Sequence, residues 1–178
     1  DVQNGVVEHV TVDMGEPVLQ PDRIPVLAEG DRFVDMPVEV AGKEYHITCV
    51  SMGNPHAVVF LPEIDTLDLE KIGPAFENHA LFPKRINTEF IRVIDTHTIQ
   101  MRVWERGAGE TWACGTGATA SLVAAVLNGL TGRQVELRLR GGNLHIHWDE
   151  VTNHVFMTGP AAFVFDGEIE LQKEGSGI

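Results

Sequence analysis

An α+β fold, a curved and mostly antiparallel sheet wrapped around one central helix, is what this sequence predicts. Three observations carry that expectation. Short stretches with two-residue alternation recur along the chain. One long apolar stretch, Gly115 to Leu130, has helical spacing instead. Glycine and proline punctuate the intervals between them. Many short strands with a single dominant helix suit a sheet curled around that helix.

In chain order, Val6 to Val12 alternates as a half-buried strand and Met14 to Val18, M-G-E-P-V, is a turn. Phe33 to Val40 alternates again, and Ala41 to Lys43 makes a hairpin turn into Glu44–Val50. Gly53 to His56, G-N-P-H, leads into an apolar strand ending at Phe60. Asp65 to His79 has helical spacing, with Pro74 predicting two short turns or a kinked helix. Thr88–Val93 and Thr98–Glu105 are strands flanking the turn D-T-H. The main helix carries Ala, Leu and Val at helical spacing and stops at Asn128-Gly129. Four strands are expected after it: Gln134–Leu139, Leu144–Trp148, His154–Thr158 and Ala162–Phe165. The chain opens on Asp1 inside a strand-like pattern, without an initiator Met, as a piece of a longer polypeptide would. The final Q-K-E-G-S-G-I is polar and expected to fray.

The 178 residues carry 26 acidic against 13 basic side chains, a net charge of −13. Such a surface repels phosphate backbones, which argues against nucleic-acid partners. No apolar run approaches the ~20 residues that span a bilayer, which argues against a membrane helix. Two cysteines, Cys49 and Cys114, are too few for a disulfide framework in a chain this long. Free thiols in the reducing cytoplasm are the simpler expectation.

The chemistry gathers around Cys114 in W-E-R-G-A-G-E-T-W-A-C-G-T-G. If a helix begins just after it, the amides of Gly115, Thr116 and Gly117 lie in its unpaired first turn. Those donors and the helix dipole suit an anion such as a carboxylate. The same field is expected to lower the thiol's pKa from about 8.5 and to speed its alkylation. Glu105 can accept a proton from a nearby thiol or hold it in one state. Arg106, with Glu105, can grip the charged groups of a small zwitterion. The competing view is a buried structural cysteine beside a surface ion pair.

Asn54, held extended before Pro55, can aim its amide into a cleft, and His56 can tune a proton-transfer partner. An ordinary turn with an incidental histidine is the alternative. Asn87, in R-I-N-T-E-F, is the weaker candidate, since a lone Asn before a strand is usually a turn residue. His145 and His147 share one face of a strand, but with no third ligand nearby an exposed face is expected rather than a metal site. Cys49, inside an apolar strand, is expected to be buried and inert.

S-M-G-N-P-H-A, R-I-N-T-E-F and E-R-G-A-G-E-T-W-A-C-G-T-G resemble diaminopimelate epimerases. So do V-D-M-G-E-P near the start, and M-T-G-P-A with F-D-G-E near the end. The resemblance extends from Val6 to about Leu171. It implies a cytoplasmic, cofactor-independent isomerase of lysine biosynthesis that interconverts the LL and meso forms of diaminopimelate. In that family two cysteines face the α-carbon from opposite sides, one thiolate removing the proton and the other thiol delivering one. The family fold is two similar α+β domains with the site between them.

The resemblance makes Cys114 one of the two thiols, with Glu105 adjusting it and His56 adjusting the opposite one. It places Asn54, Asn87, Glu105, Arg106, Gly115 and Thr116 at the substrate. The first thiol's C-G-N-G motif is absent. Cys49 lacks those glycines and a helix start, so the chain is expected to be the carboxy-terminal half, incomplete and inactive alone. Residues 1–14 would then be the tail of an amino-terminal domain and 15–160 the carboxy-terminal domain. Residues 161–171 would be a strand returning to the first domain, and 172–178 a disordered tail. Phe165 stands where the family often has a tyrosine near a dimer contact, a departure that weakens the expectation of a homodimer. The rival functions are a related racemase or isomerase, a non-catalytic amino-acid-binding module, and a thiol peroxidase or redox sensor built on Cys114.

Overall fold

Alternating residues of the central strands are buried on both faces of one sheet, because a helix covers each face. A computed structural model describes residues 2–3 and 6–170. The chain begins with a small hairpin of β1 (Val2–Gln3) and β2 (Val6–Val7), followed by β3 (His9–Asp13). Next come β4 (Met36–Val40), β5 (Lys43–Ser51), β6 (Pro55–Phe60) and α1 (Leu69–Glu77). Then β7 (Asn87–Asp95), β8 (Thr98–Glu105) and β9 (Gly109–Thr111) lead into α2 (Gly115–Leu127). Last are β10 (Gln134–Leu139), β11 (Gly142–Trp148) and β12 (Val155–Pro160).

The main sheet has the order β3-β12-β11-β10-β8-β7-β6-β5-β4, with β9 added beside the end of β8. Only the β6–β7 and β8–β10 pairings are parallel; its other pairings are antiparallel. The mixed α+β architecture matches the expected class. The expected hairpin between β4 and β5 is also present, turning on Ala41 and Gly42, both with positive φ.

Helix α2 is buried from Gly117 through Ala125 and packs against strands of both halves of the sheet. Small residues let the strands approach it closely, and a helix apolar on all sides must be enclosed. Its core includes Val50, Val58, Ile91, Met101, Leu122 and Ile146. The opposite face carries a second core around Ile47, Phe76, Phe90 and Trp104, under α1. One central helix was expected; α1 adds this second layer. Despite Pro74, α1 is a single helix capped by Asp68, whose side chain accepts from the Lys71 amide.

A methyl group on Gly73 of α1 would sit 2.2 Å from Trp104 Cδ2. Gly→Ala in a free helix gains about 1 kcal/mol. Here the clash outweighs that, so Gly73→Ala is expected to destabilise by about 1–3 kcal/mol in a denaturant titration.

Ala162–Phe165, expected to be a strand, is irregular. No strand of the sheet pairs with it, and Phe163, Val164 and Phe165 stay exposed. Residue 171 and the tail 172–178 lie outside the described residues. No helix among the described residues is long and apolar enough to cross a membrane.

Candidate active site

Period-two alternation gathers the polar candidates onto the α2 face of the sheet. On β6, His56 shares a face with Val58; on β7, Asn87 and Glu89 share one with Ile91; on β8, Glu105 follows Met101 and Val103. The register sets His56 opposite Asn87 and Thr88 opposite Trp104, so the ends of three strands meet below the start of α2.

Cys114 is the N-cap of α2, extended at φ −143° and ψ 108°. Its Sγ accepts from the Gly117 amide at 3.4 Å and lies 3.6 Å from the Thr116 hydroxyl. Serine, threonine, aspartate and asparagine are the usual N-caps, and sulfur is a weak acceptor, so local stability does not account for a cysteine here. The amides of Gly115 and Thr116 are the first-turn donors that helix geometry leaves without an intrahelical acceptor.

The expected lowering of the thiol's pKa is overturned. Cys114 is only 8% exposed, and burial, followed by the Glu89 carboxylate, pushes its thiol up to about 11. The bonds from Thr116 and Gly117 pull the other way but are outweighed, and Glu105 adds a smaller upward push. A helix N-terminus acts as a partial charge; loss of solvation plus a full negative charge exceeds it. Cys114 is therefore a thiol at neutral pH, and fast alkylation is no longer expected in this chain. Its alkylation midpoint should lie near 11, not near the ordinary value. The folded value is raised, so this stabilising contribution is complete below the ordinary thiol range and disappears as pH rises through about 11. Thermal melts across that range should show stability falling as pH increases.

His56 is 0% exposed and bridges two groups. Its Nδ1 lies 2.7 Å from Glu89 Oε1 and its Nε2 lies 2.9 Å from Asn54 Oδ1. Asn87 donates to the Pro55 carbonyl and accepts from the Arg106 amide, so it ties the start of β6 to the end of β8. The Arg106 guanidinium donates to the Lys84 carbonyl. Glu105 accepts from the Thr111 hydroxyl, which β9 brings alongside by pairing Gly109 with Glu105.

Two glutamates were missed from the sequence. Glu89 appears there only as a polar interruption in the apolar strand N-T-E-F-I. Glu77 of α1 accepts from Trp104 Nε1 at 2.7 Å, the Gly107 amide at 2.9 Å and Arg85 at 2.8 Å, fixing the loop after Arg106. Cys49 is buried as expected, in the core on the other face from Cys114, and burial pushes its thiol well up. The sheet thus separates the two sulfurs. His145 and His147 lie exposed on β11, with His147 stacked on Phe156.

The family model described as Diaminopimelate epimerase matches residues 48–164. The diaminopimelate epimerase of Acetivibrio thermocellus is 59% identical over 97% of this chain and 61% of its own length. That of Desulfovibrio desulfuricans is 65% identical over 92% of this chain and 59% of its own length. The chain thus spans about three fifths of the length of these curated relatives. Among solved structures, a probable proline racemase from Agrobacterium radiobacter superposes with a TM-score of 0.65 at 14% identity. It covers 96% of this chain and 56% of that one, a likeness of fold. With Cys114 capping its helix inside the matched segment, and each of the two relatives more than half identical to it, the chain belongs to the diaminopimelate epimerase family.

Proposed function

We propose that this chain supplies one side of a diaminopimelate epimerase that inverts an α-carbon without a cofactor. The observation that carries the reading is Cys114 at the mouth of α2, with the Gly117 amide on its sulfur and two further first-turn amides beside it. The substrate's α-carboxylate binds the Gly115 and Thr116 amides, which sets the α-carbon next to Sγ. Glu105 and Arg106 hold the remaining charged groups, Arg106 being steadied through its backbone by Asn87. Asn54 joins them through His56, its Oδ1 2.9 Å from Nε2.

Inversion needs a proton removed from one face of the α-carbon and another delivered to the opposite face. A thiol raised to about 11 is the donor. As its proton leaves for the carbanion, charge grows on Sγ, where the Gly117 and Thr116 donors receive it. In the reverse direction Cys114 acts as the thiolate and the opposite thiol delivers. Cys49, beneath the other face of the sheet, cannot be that opposite thiol.

The second thiol therefore comes from another domain, one preceding this chain in the enzyme, and His56 adjusts it. In this reading residues 15–160 form the domain described here, joined by β3 of the segment 1–14, which pairs with β12, and 161–170 face the preceding domain. Phe163, Val164, Phe165 and Ile169 are exposed, and a neighbouring domain would cover them. The isolated chain also supports a second reading, an amino-acid-binding module, because one protonated thiol binds without inverting.

The test is turnover of LL-diaminopimelate in deuterated water. A protein of the relatives' full length should form the meso isomer and incorporate deuterium at the inverted carbon, while the 178-residue chain forms none. Brisk inversion by the isolated chain would reject the two-domain reading. Binding without inversion by the full-length protein would favour the module.

A further inference from the structure

We infer that Glu89 is a positioning residue that joins the two acid/base sides of the site, holding the His56 ring with one oxygen and facing the Cys114 sulfur across Gly117. This rests on the epimerase reading only for its consequence in catalysis. Glu89 is 0% exposed on β7, and its Oε1 lies 2.7 Å from His56 Nδ1. Its other oxygen, Oε2, is buried with no hydrogen-bond partner. A buried carboxylate left half satisfied is costly and calls for an explanation in function.

Gly117 supplies the link to Cys114. A methyl group there would lie 2.5 Å from Glu89 Oε1 and 3.2 Å from Cys114 Sγ. Carboxylate and sulfur therefore face each other across the space of one missing side chain. The His56 ring is held at both nitrogens, by Glu89 Oε1 at Nδ1 and by Asn54 Oδ1 at Nε2. The titratable groups around Glu89 are His56 from β6, Cys49 from β5 and Cys114 at the start of α2, while Glu105 from β8 also acts on Cys114.

In the epimerase each inversion leaves the two thiols with exchanged protonation states. A carboxylate touching the histidine of one side and facing the sulfur of the other lets each side respond to the state of its counterpart.

The experiment follows alkylation of Cys114 in this chain upward from neutral pH, in wild type, Glu89→Gln and Glu89→Asp. Cys49, under the other face of the sheet, is the internal check, since it stays unlabelled while the chain is folded. Glu89→Gln removes the charge, and the Cys114 midpoint is expected to fall by about half a pH unit or more, about threefold in thiolate at fixed pH. Should Glu89→Gln expose Cys49, Glu89→Asp is read instead; it keeps the carboxylate but withdraws it by one methylene, and a smaller fall is expected. A merely structural glutamate leaves the midpoint unmoved while Cys49 remains protected, and that result overturns the inference. The thiol measurement does not depend on turnover. A fallen midpoint with an inactive full-length protein keeps the coupling and removes the epimerase reading. An unmoved midpoint with an active one does the reverse.

Discussion

Cys114→Ala in the full-length protein is expected to abolish inversion while leaving the fold standing. The sulfur is a weak cap, so its removal costs α2 no more than the low end of the ~0.5–2 kcal/mol seen for good N-caps. The side chain is small, and within the core around α2 its sulfur meets the Gly117 amide and the Thr116 hydroxyl and faces the Glu89 carboxylate. Catalysis loses far more. A positioned proton donor contributes roughly 10²–10⁴-fold. Cys114→Ser is expected to fail almost as completely, because a hydroxyl gives up its proton much less readily than a thiol. Progress curves from LL to meso isomer, alongside thermal melts, separate the two effects.

Gly117→Ala is the second large effect. Alanine at an exposed helical position is favoured over glycine by about 1 kcal/mol. At Gly117 the added carbon would sit 2.5 Å from a carboxylate oxygen that is itself fixed to His56 at 2.7 Å. Neither neighbour is the loose end of a flexible chain: Glu89 is fully buried and Cys114 is held at the helix start. Something must shift, and the expected cost is about 1–3 kcal/mol in denaturant titrations. The shift also moves Sγ away from the Gly117 amide, so the rate of inversion should fall along with stability. A stabilised, fully active Gly117→Ala variant would mean that the close approach of Glu89 to Cys114 has no consequence.

Where burial follows a simple period, the fold was legible. β6, β7 and β8 alternate between two cores, and α2 is apolar on every side; both patterns stand in the letters. Ala162–Phe165 alternates too, but pairing needs a neighbouring strand as well as a pattern, and here none pairs with it. β9 escaped notice because three residues set among Gly107 and Gly109 look like a turn. At the site, the cysteine cap was legible from C-G-T-G, since glycines behind a thiol have few other uses. The direction of its pKa was not. That depends on how much water the fold removes and on Glu89, which stands 25 positions away in sequence. Period two from Asn87 would have placed Glu89 on the same face. Its partner His56 comes from another strand, and only the parallel register of β6 with β7 brings them together.

The most direct test of the central claim, that the Cys114 sulfur exchanges a proton with one face of the α-carbon, is isotope exchange resolved by isomer. Full-length Cys114→Ala is incubated in deuterated water with LL and with meso substrate separately, and deuterium at each α-carbon is counted. The account predicts no inversion from either isomer. It also predicts no exchange in the configuration whose α-hydrogen faces Cys114, so that any surviving exchange is confined to the opposite configuration. Inversion at the wild-type rate, or undiminished exchange in both configurations, would contradict it.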